Sequence, residues 1–506
     1  MAELLIDLAS RSPAATALVD ERGSTTWREL NDRVNGWIEV LRGHGVAAGD
    51  AVAVMAGNRR ETFEVVLAGL HAGVTVVPVN WHLTAAEVAH ILTDAGCRLL
   101  VVDAQRAAVA ADAVARCDDP PLLLTIDDRA PMPGAAEPAD QRCGALLLYT
   151  SGSTGRPRGV ANRLFVADAP FSRVGRLGDY AARTLRLPAG GRTLVVAPWY
   201  HSAQLFFALL PLLRGSTLVI EERFDPVGTL STMARHRVTT AHLVPTHFVR
   251  LLALDPAVRD ELTPRDLRLV WHGGGPCPVD VKDRMIAWWG PVLLEYYGAT
   301  ESGALTVIDS IEAGQRPGSV GRAVPPHEIV ILDPAGRPLP AGRTGTVYVR
   351  RVGGSGFHYH NAPAETAAVH RAPDLFTVGE VGHLDDAGYL FLTGRARDVV
   401  VTGGVNVHAA EVEAVLLRHP EVRDAAVVGM PDEEYGERVV AVVVAAEPDR
   451  ADELPGRLDR HTRETLAGFK APRAYRLVDT LPRDETGKLR KQLVRRMLAE
   501  LPGGGA

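Results

Sequence analysis

Lysine is nearly missing from this chain. Of 55 basic residues in 506, only Lys282, Lys470, Lys488 and Lys491 are lysines. A GC-rich coding sequence accounts for such a bias, so the bias alone excludes little. It does make each retained lysine a candidate for a role that a planar guanidinium fills poorly. Cysteine is as scarce. Cys97, Cys117, Cys143 and Cys277 lie far apart with no C-x-x-C spacing, which argues against a zinc site or a disulfide framework and fits a reducing cytoplasm. No apolar run reaches the roughly 18 residues of a membrane helix. The N-terminus, MAELLIDLAS, carries acids and no basic region of a signal peptide. Basic groups are not in excess either: against 61 acids they leave a net charge of −6, which speaks against an electrostatic nucleic-acid binder.

What the chain does contain is a core. With 46% hydrophobic and 23% charged residues, its length suits two or three globular domains. Thr26 caps a helix start at Trp27-Arg28-Glu29-Leu30. Ala51 to Met55 reads as a buried strand, Glu61 to Ala72 has helical spacing, and Val74 to Val79 is β-branched. Short apolar strands recur at Leu194 to Ala197, Thr217 to Ile220, Ala241 to Val244 and Leu267 to Trp271. This rhythm predicts an α/β chain built on doubly wound sheets. From about Ser319 the texture turns antiparallel. Glu328 to Leu332, the turn at Asp333 to Gly336, and Gly345 to Arg350 predict a small β subdomain over about 319–394. After Asp398 the rhythm restarts, with strands at Val399 to Val401, Ala425 to Val428 and Val439 to Ala446, and helices at Ala409 to Arg418 and Glu453 to Leu466. A large N-terminal domain over 1–397 and a small α+β C-terminal domain over 398–506 are expected.

The most informative segment runs from Leu146 to Val160. An apolar strand enters a loop of glycines and hydroxyls, Thr150, Ser151, Gly152, Ser153, Thr154 and Gly155, then meets Arg156 and Arg158. Glycines let backbone N–H groups approach an anion, hydroxyls add donors, and arginine adds fixed charge. That combination suits polyphosphate, although the spacing is not that of an ordinary P-loop.

Tyr149 to Val160 resembles the phosphate loop of the adenylate-forming superfamily, which contains acyl-CoA synthetases, 4-coumarate–CoA ligases, nonribosomal adenylation domains and firefly luciferase. Further segments resemble that family's motifs in the same order. Trp199-Tyr200-His201 resembles its aromatic/His gate. Gly273 to Pro278, with Gly274, Gly275 and Pro276, resembles its adenine-flanking loop. Glu295 to Glu301 resembles its Tyr-Gly-x-Thr-Glu signature, and Thr377 to Glu380 stands where the family has a ribose-binding acid. Gly394 to Asp398 resembles the hinge, Gly403 to Val407 with Glu411 the loop after it, and Pro482 to Lys488 the C-terminal lysine motif. Ala241 to Arg250 and Pro276 to Lys282 resemble most closely bacterial CoA ligases of fatty, steroid-like or terpenoid acids.

The resemblance implies a ligase that activates a hydrophobic carboxylic acid with ATP as acyl-AMP and passes the acyl group to coenzyme A, with Mg²⁺. It implies catalytic roles for Lys488, His201, Thr300 and Glu301. Tyr297 would stack on adenine, Thr300 would meet the α-phosphate, and Glu301 would supply a hard oxygen to Mg²⁺. Gly298, Glu380, Arg395, Gly403 and Gly404 join the phosphate loop in holding nucleotide and coenzyme A. Trp199, Gln204, His242, Val244, Gly273, Tyr296 and Ser302 would line the acyl pocket, whose glycines leave room for a bulky group. An ammonium at Lys488 would hold two mutually repelling anions, carboxylate and phosphate, together. In the second half-reaction the C-terminal domain would swing about Asp398. The partners are small molecules, and a homodimer is compatible.

Three positions depart from the family pattern. Arg158 stands where many members have Lys, and Ala409 replaces a common Pro. Glu380 stands where the family has Asp, and its extra methylene displaces the carboxylate unless the backbone yields. A lost hydrogen bond to a charged group costs about 1.5–3 kcal/mol. The alternative reading is therefore an enzyme that mainly converts a preformed acyl-adenylate to acyl-CoA.

Overall fold

The computed structural model describes residues 5–128, 135–151, 157–162, 166–354, 356–395, 398–402, 405–432, 435–447, 453–484 and 487–500. Three sheets organise them. The first has seven strands. Thr75–Pro78, Ala51–Met55, Cys97–Val102 and Leu122–Thr125 are parallel, and Ala145–Ser151 joins them. Pro157–Asn162 and Phe357–Tyr359 then extend the edge antiparallel.

The second sheet has 14 strands. Its centre is the parallel set Thr217–Ile220, Arg192–Val195, Thr240–Leu243, Leu269–His272 and Leu293–Ala299. Beyond Leu293–Ala299 the pairing turns antiparallel through Gly303–Asp309, Ser319–Ala323, Tyr389–Arg395, Leu375–Leu384, Gly345–Arg351 and His327–Leu332. The strands read from the sequence as a β subdomain thus continue the edge of this sheet instead of forming a sheet apart.

Parallel strands covered on both faces must be apolar throughout. Every residue of Ala51–Met55 and of Thr240–Leu243 is accordingly buried. The helices between the layers obey the same logic. Arg60–His71 is buried from Thr62 onward, and Ser202–Leu213 buries nearly every residue after its first turn. A single core joins the layers, with Trp37, Phe63, Trp199 and Trp271 among its largest members. The helix Trp27–Gly43 begins at the expected Thr26, whose side chain and that of Glu29 cap each other.

All five strands of the third sheet follow Asp398. In Gly436–Ala445, Val439, Ala441 and Val443 enter one core with the helices Ala409–Leu416 and Leu454–Thr465. The alternate residues Val440, Val442 and Val444 enter a second core with the helix Lys491–Glu500. The period of two therefore covers both faces of this small sheet. No helix among the described residues is long and apolar enough to cross a membrane.

Candidate active site

The strand Ala145–Ser151 and its partner Pro157–Asn162 form a hairpin in which Thr150 faces Arg158 and Ser151 faces Pro157. Its tip, with Gly152, Ser153, Thr154 and Gly155, lies outside the described residues. The hairpin is fixed from its flank. Tyr149 donates to Asp94 at 2.6 Å, and His90 bonds the carbonyl of Pro157 at 3.0 Å. Gly159 is tightly enclosed: a Cβ there would lie 3.0 Å from His360 and 3.2 Å from the Tyr149 ring.

Arg158 does not point freely into solvent. Its guanidinium lies 3.6 Å from the centre of the Tyr359 ring and pairs with Glu365 at 2.6 Å. The hydroxyl of that same tyrosine donates to Glu301 Oε1 at 3.0 Å. Thr300, next to Glu301, is held twice. Its hydroxyl meets Ser202 Oγ at 2.9 Å, and its carbonyl accepts from Asn162 at 3.1 Å. Ser202 opens the helix that His201 caps. Thr300, Glu301, Arg158 and His201, scattered over the sequence, are thereby brought to neighbouring elements. Tyr359, Glu365, Ser202 and Asn162 complete the cluster, and none was singled out from the sequence.

His201 is half-buried, and its Nε2 atom is buried with no partner among the described residues. Burial pushes its pKa down to about 4; the Asp484 charge opposes this shift and the Lys488 charge adds to it. It is therefore a neutral imidazole at neutral pH. The influence of Asp484 and Lys488 brings the C-terminal loop into this site. That loop is a tight turn: Gly487 N donates to Asp484 O at 2.7 Å, and Lys488 N donates to Asp484 Oδ1 at 2.9 Å. Arg483 anchors it, binding Asp424 of the third sheet at 2.6 and 2.7 Å and Gly487 O at 2.7 Å. Gly487, at φ 75°, lies against Thr246 so closely that a Cβ would overlap that side chain. Lys488 itself is exposed. Arg483 lies within the motif Pro482 to Lys488, which by itself assigns it no role.

The residues expected to line the acyl pocket fall into two groups. Gly273, Tyr296 and His242 meet at one aromatic stack, whereas Val244 is buried beside Gly274. His242 lies parallel to Phe207 at 4.9 Å and bonds the Tyr296 hydroxyl at 2.9 Å, and Phe207 also stacks on Trp271 at 4.9 Å. A Cβ on Gly273 would lie 2.6 Å from Tyr296 O and 2.7 Å from its ring. The space expected to be spare at this glycine is thus filled by Tyr296, which corrects the expectation of room for a bulky group there. Trp199 belongs to the core, its indole N–H committed to Ala56 O at 2.6 Å. Gln204 is buried with Oε1 on Ala197 N, and Ser302 donates to Gly303 O. Gly274, Gly275 and Pro276 are exposed on the loop above. Gly298 is required by sterics, because a Cβ would overlap Gly303 O across the hairpin.

Glu380 sits on a bulge. Thr346 to Tyr348 on one strand span Val381 to Thr377 on the other, so Val378, Gly379 and Glu380 lie opposite the single residue Val347. Gly379 has φ 85°, a conformation open to glycine. Glu380 pairs in register with Arg395. Asp398 is described and lies ahead of the third sheet, whereas Gly403 and Gly404 lie outside the described residues.

This arrangement, a phosphate-type hairpin beside a Thr–Glu pair with a lysine loop docked above, is that of an adenylate-forming enzyme. Residues 7–355 match the AMP-binding enzyme family, and residues 411–488 match the AMP-binding enzyme C-terminal domain. The chain belongs to this family and is an AMP-forming acid–thiol ligase. It is 35% identical over 504 residues to a feruloyl-CoA synthase of Amycolatopsis sp, covering 96% of this chain and 97% of that one. It is 30% identical over 508 residues to a long-chain-fatty-acid–CoA ligase of Mycobacterium tuberculosis, covering 97% of each. Among solved structures, ATP-bound MatB from Rhodopseudomonas palustris superposes with a TM-score of 0.84 at 30% identity over 99% of both chains.

Proposed function

We propose that this enzyme joins a hydrophobic carboxylic acid to coenzyme A through an acyl-adenylate, in the cytoplasm. The observation that carries the reading is the docked loop: Gly487 rests on Thr246, and the Lys488 charge acts on His201. An ammonium there can hold the acid's carboxylate against the α-phosphate while the C–O–P bond forms and pyrophosphate leaves. Thr300, fixed by Ser202 and Asn162, presents a hydroxyl to the α-phosphate. Arg158 and the 150–155 loop take the pyrophosphate end, and Tyr297 with Gly274, Gly275 and Pro276 takes the adenine.

Glu301 fits Mg²⁺. One oxygen is engaged by Tyr359, and the other has no protein partner among the described residues. A single carboxylate with phosphate oxygens is the usual setting for this ion. No cluster of three ligating side chains among the described residues offers an all-protein cage. When bound, Mg²⁺ would neutralise phosphate charge. Residues 1–397 act in this reading as the nucleotide- and acid-binding body, and 398–506 as the part that moves about Asp398 between half-reactions.

The wall of Phe207, His242 and Tyr296 favours a compact acid over a long one. The alternative, thiolation of a supplied acyl-adenylate with weak adenylation, rests on Glu380. Its place on a bulge beside Gly379 gives the backbone freedom to absorb the extra methylene, so intact adenylation is preferred. The test is to incubate the purified protein with Mg-ATP, coenzyme A and a panel of aromatic and straight-chain acids. Acid-dependent pyrophosphate release with acyl-CoA formation is expected. Acyl-CoA from preformed adenylates without pyrophosphate release from any acid would support the alternative.

A further inference from the structure

The segment from Phe357 to Val369 is clamped onto the phosphate hairpin. Its strand Phe357–Tyr359 pairs with Pro157–Asn162, Tyr359 opposite Val160, and His360 N donates to Gly159 O at 2.9 Å. Thr366, on the short helix Pro363–Val369, accepts from Tyr359 N at 2.9 Å, which fixes helix and strand to each other. Glu365 on that helix is thereby placed beside Arg158. Both family matches leave this segment out, ending at 355 and resuming at 411.

The contacts around Arg158 are those of a cation waiting for an anion. Its guanidinium is pressed on the buried Tyr359 ring at 3.6 Å, an arrangement that neutralises no charge but fixes the plane of the fork. Its anionic partner is Glu365, at 2.6 Å, and the glutamate side chain is 38% exposed against 19% for the arginine. The arginine is thus held on a rigid plate, whereas its counter-ion sits on the solvent side. A carboxylate and a phosphate present the same paired oxygens to a guanidinium. An ion pair open to solvent on one side can be exchanged for another anion.

We propose that Glu365 is an internal substitute for the polyphosphate: it occupies Arg158 while the site is empty, yields it when the nucleotide's β- and γ-phosphates arrive, and takes it back as pyrophosphate departs. The inference rests on the proposed adenylating function. Glu365 then makes nucleotide binding weaker and pyrophosphate release faster, while Tyr359 keeps the guanidinium in place through the exchange. No bond is made or broken; one anion replaces another at Arg158.

The test compares the wild-type protein with Glu365→Gln, which keeps the shape and removes the charge, by isothermal titration with Mg-ATP, with magnesium pyrophosphate and with AMP, all without acid. AMP lacks the phosphates that would compete, so it is the internal control. Affinity for ATP and pyrophosphate should rise about fivefold, with AMP unchanged. In an Arg158→Ala background the same substitution should have no effect, since the two residues act as a pair. Equal shifts for ATP and AMP, no shift for either, or a full effect without Arg158 would each overturn the inference while leaving the function intact. Failure of the wild type to bind Mg-ATP would overturn the function, and this inference with it.

Discussion

Thr300 and Glu301 are held by hydrogen bonds from three separate elements, the helix of Ser202, the strand of Asn162 and the strand of Tyr359. Lys488 sits on a turn that belongs to another sheet and meets the large body through the contact of Gly487 with Thr246. One half of the active site is built in, the other is set down on it. The difference matches a two-stage reaction. Groups that serve both stages belong in the framework, whereas a group needed for one stage belongs on a part that can leave.

Substitutions separate the two halves. The largest effect is expected for Lys488→Ala. Pyrophosphate release should fall on the order of 10²–10³-fold, the usual cost of one group that stabilises transition-state charge, while acyl-CoA formation from supplied acyl-adenylate persists. Survival of both half-reactions would break the comparison. Tyr359→Phe strikes the built-in half. It keeps the ring under Arg158 but removes a hydrogen bond to the Glu301 carboxylate, so Mg-ATP binding measured by titration should weaken roughly 10- to 100-fold with the KM for the acid little changed.

Gly487→Ala tests the docking contact alone. A side chain at φ 75° costs about 1–2 kcal/mol and also meets Thr246. Adenylation should fall about tenfold or more, thiolation hardly at all. An equal fall in both would mean that the turn itself had collapsed.

Acid should weaken the built-in half first. Burial holds His201 at about 4 and, with smaller contributions from neighbouring charges, His242 and His247 at about 3, whereas an unfolded histidine titrates near 6.5. Between these values the unfolded chain binds protons that the folded chain refuses. Stability is therefore complete above pH ~6.5 and lost as pH falls through the window below it. Melting temperatures from pH 7 to 4.5 should show this fall, and His242→Gln should flatten it. The smallest effect is expected for Lys470→Ala, which removes a half-exposed pair with Glu411 at 2.6 Å; melting should register about 0.5 kcal/mol and adenylation should hold.

The framework is largely legible in the sequence. Strands buried on both faces announce themselves as apolar runs, and Thr217–Ile220 appears with the boundaries read from the sequence. The helix read at Glu61 to Ala72 is Arg60–His71, and that read at Ala409 to Arg418 is Ala409–Leu416. The β subdomain was read less well. Antiparallel texture marks a change of pairing, yet it does not say whether a new sheet begins or an old one continues. At the site, Thr300, Glu301 and Lys488 carried motifs, but Tyr359, Glu365, Ser202 and Asn162 did not. Their importance lies in meeting residues 58 to 207 positions away, and no local spacing encodes such a meeting. Trp199, expected to line the acyl pocket, lies two residues before His201 and belongs to the core, with its indole N–H on Ala56 O.

The retained lysines tell a related story. Lys282 is paired with Glu295 inside the large body, while Lys470 and Lys491 bind Glu411 and Glu413 of one helix, Ala409–Leu416. Both faces of the third sheet are covered, and Arg483 ties the Lys488 loop to Asp424 of that sheet. In the proposed reading, in which the ammonium leaves between half-reactions, the whole sheet would travel with it. Such collective displacements take roughly microseconds to milliseconds, far shorter than the tenth of a second or so of a typical catalytic cycle. Travel on that scale would be a small part of such a cycle, so the proposed motion would lose little time by using a rigid carrier in place of a flexible lid.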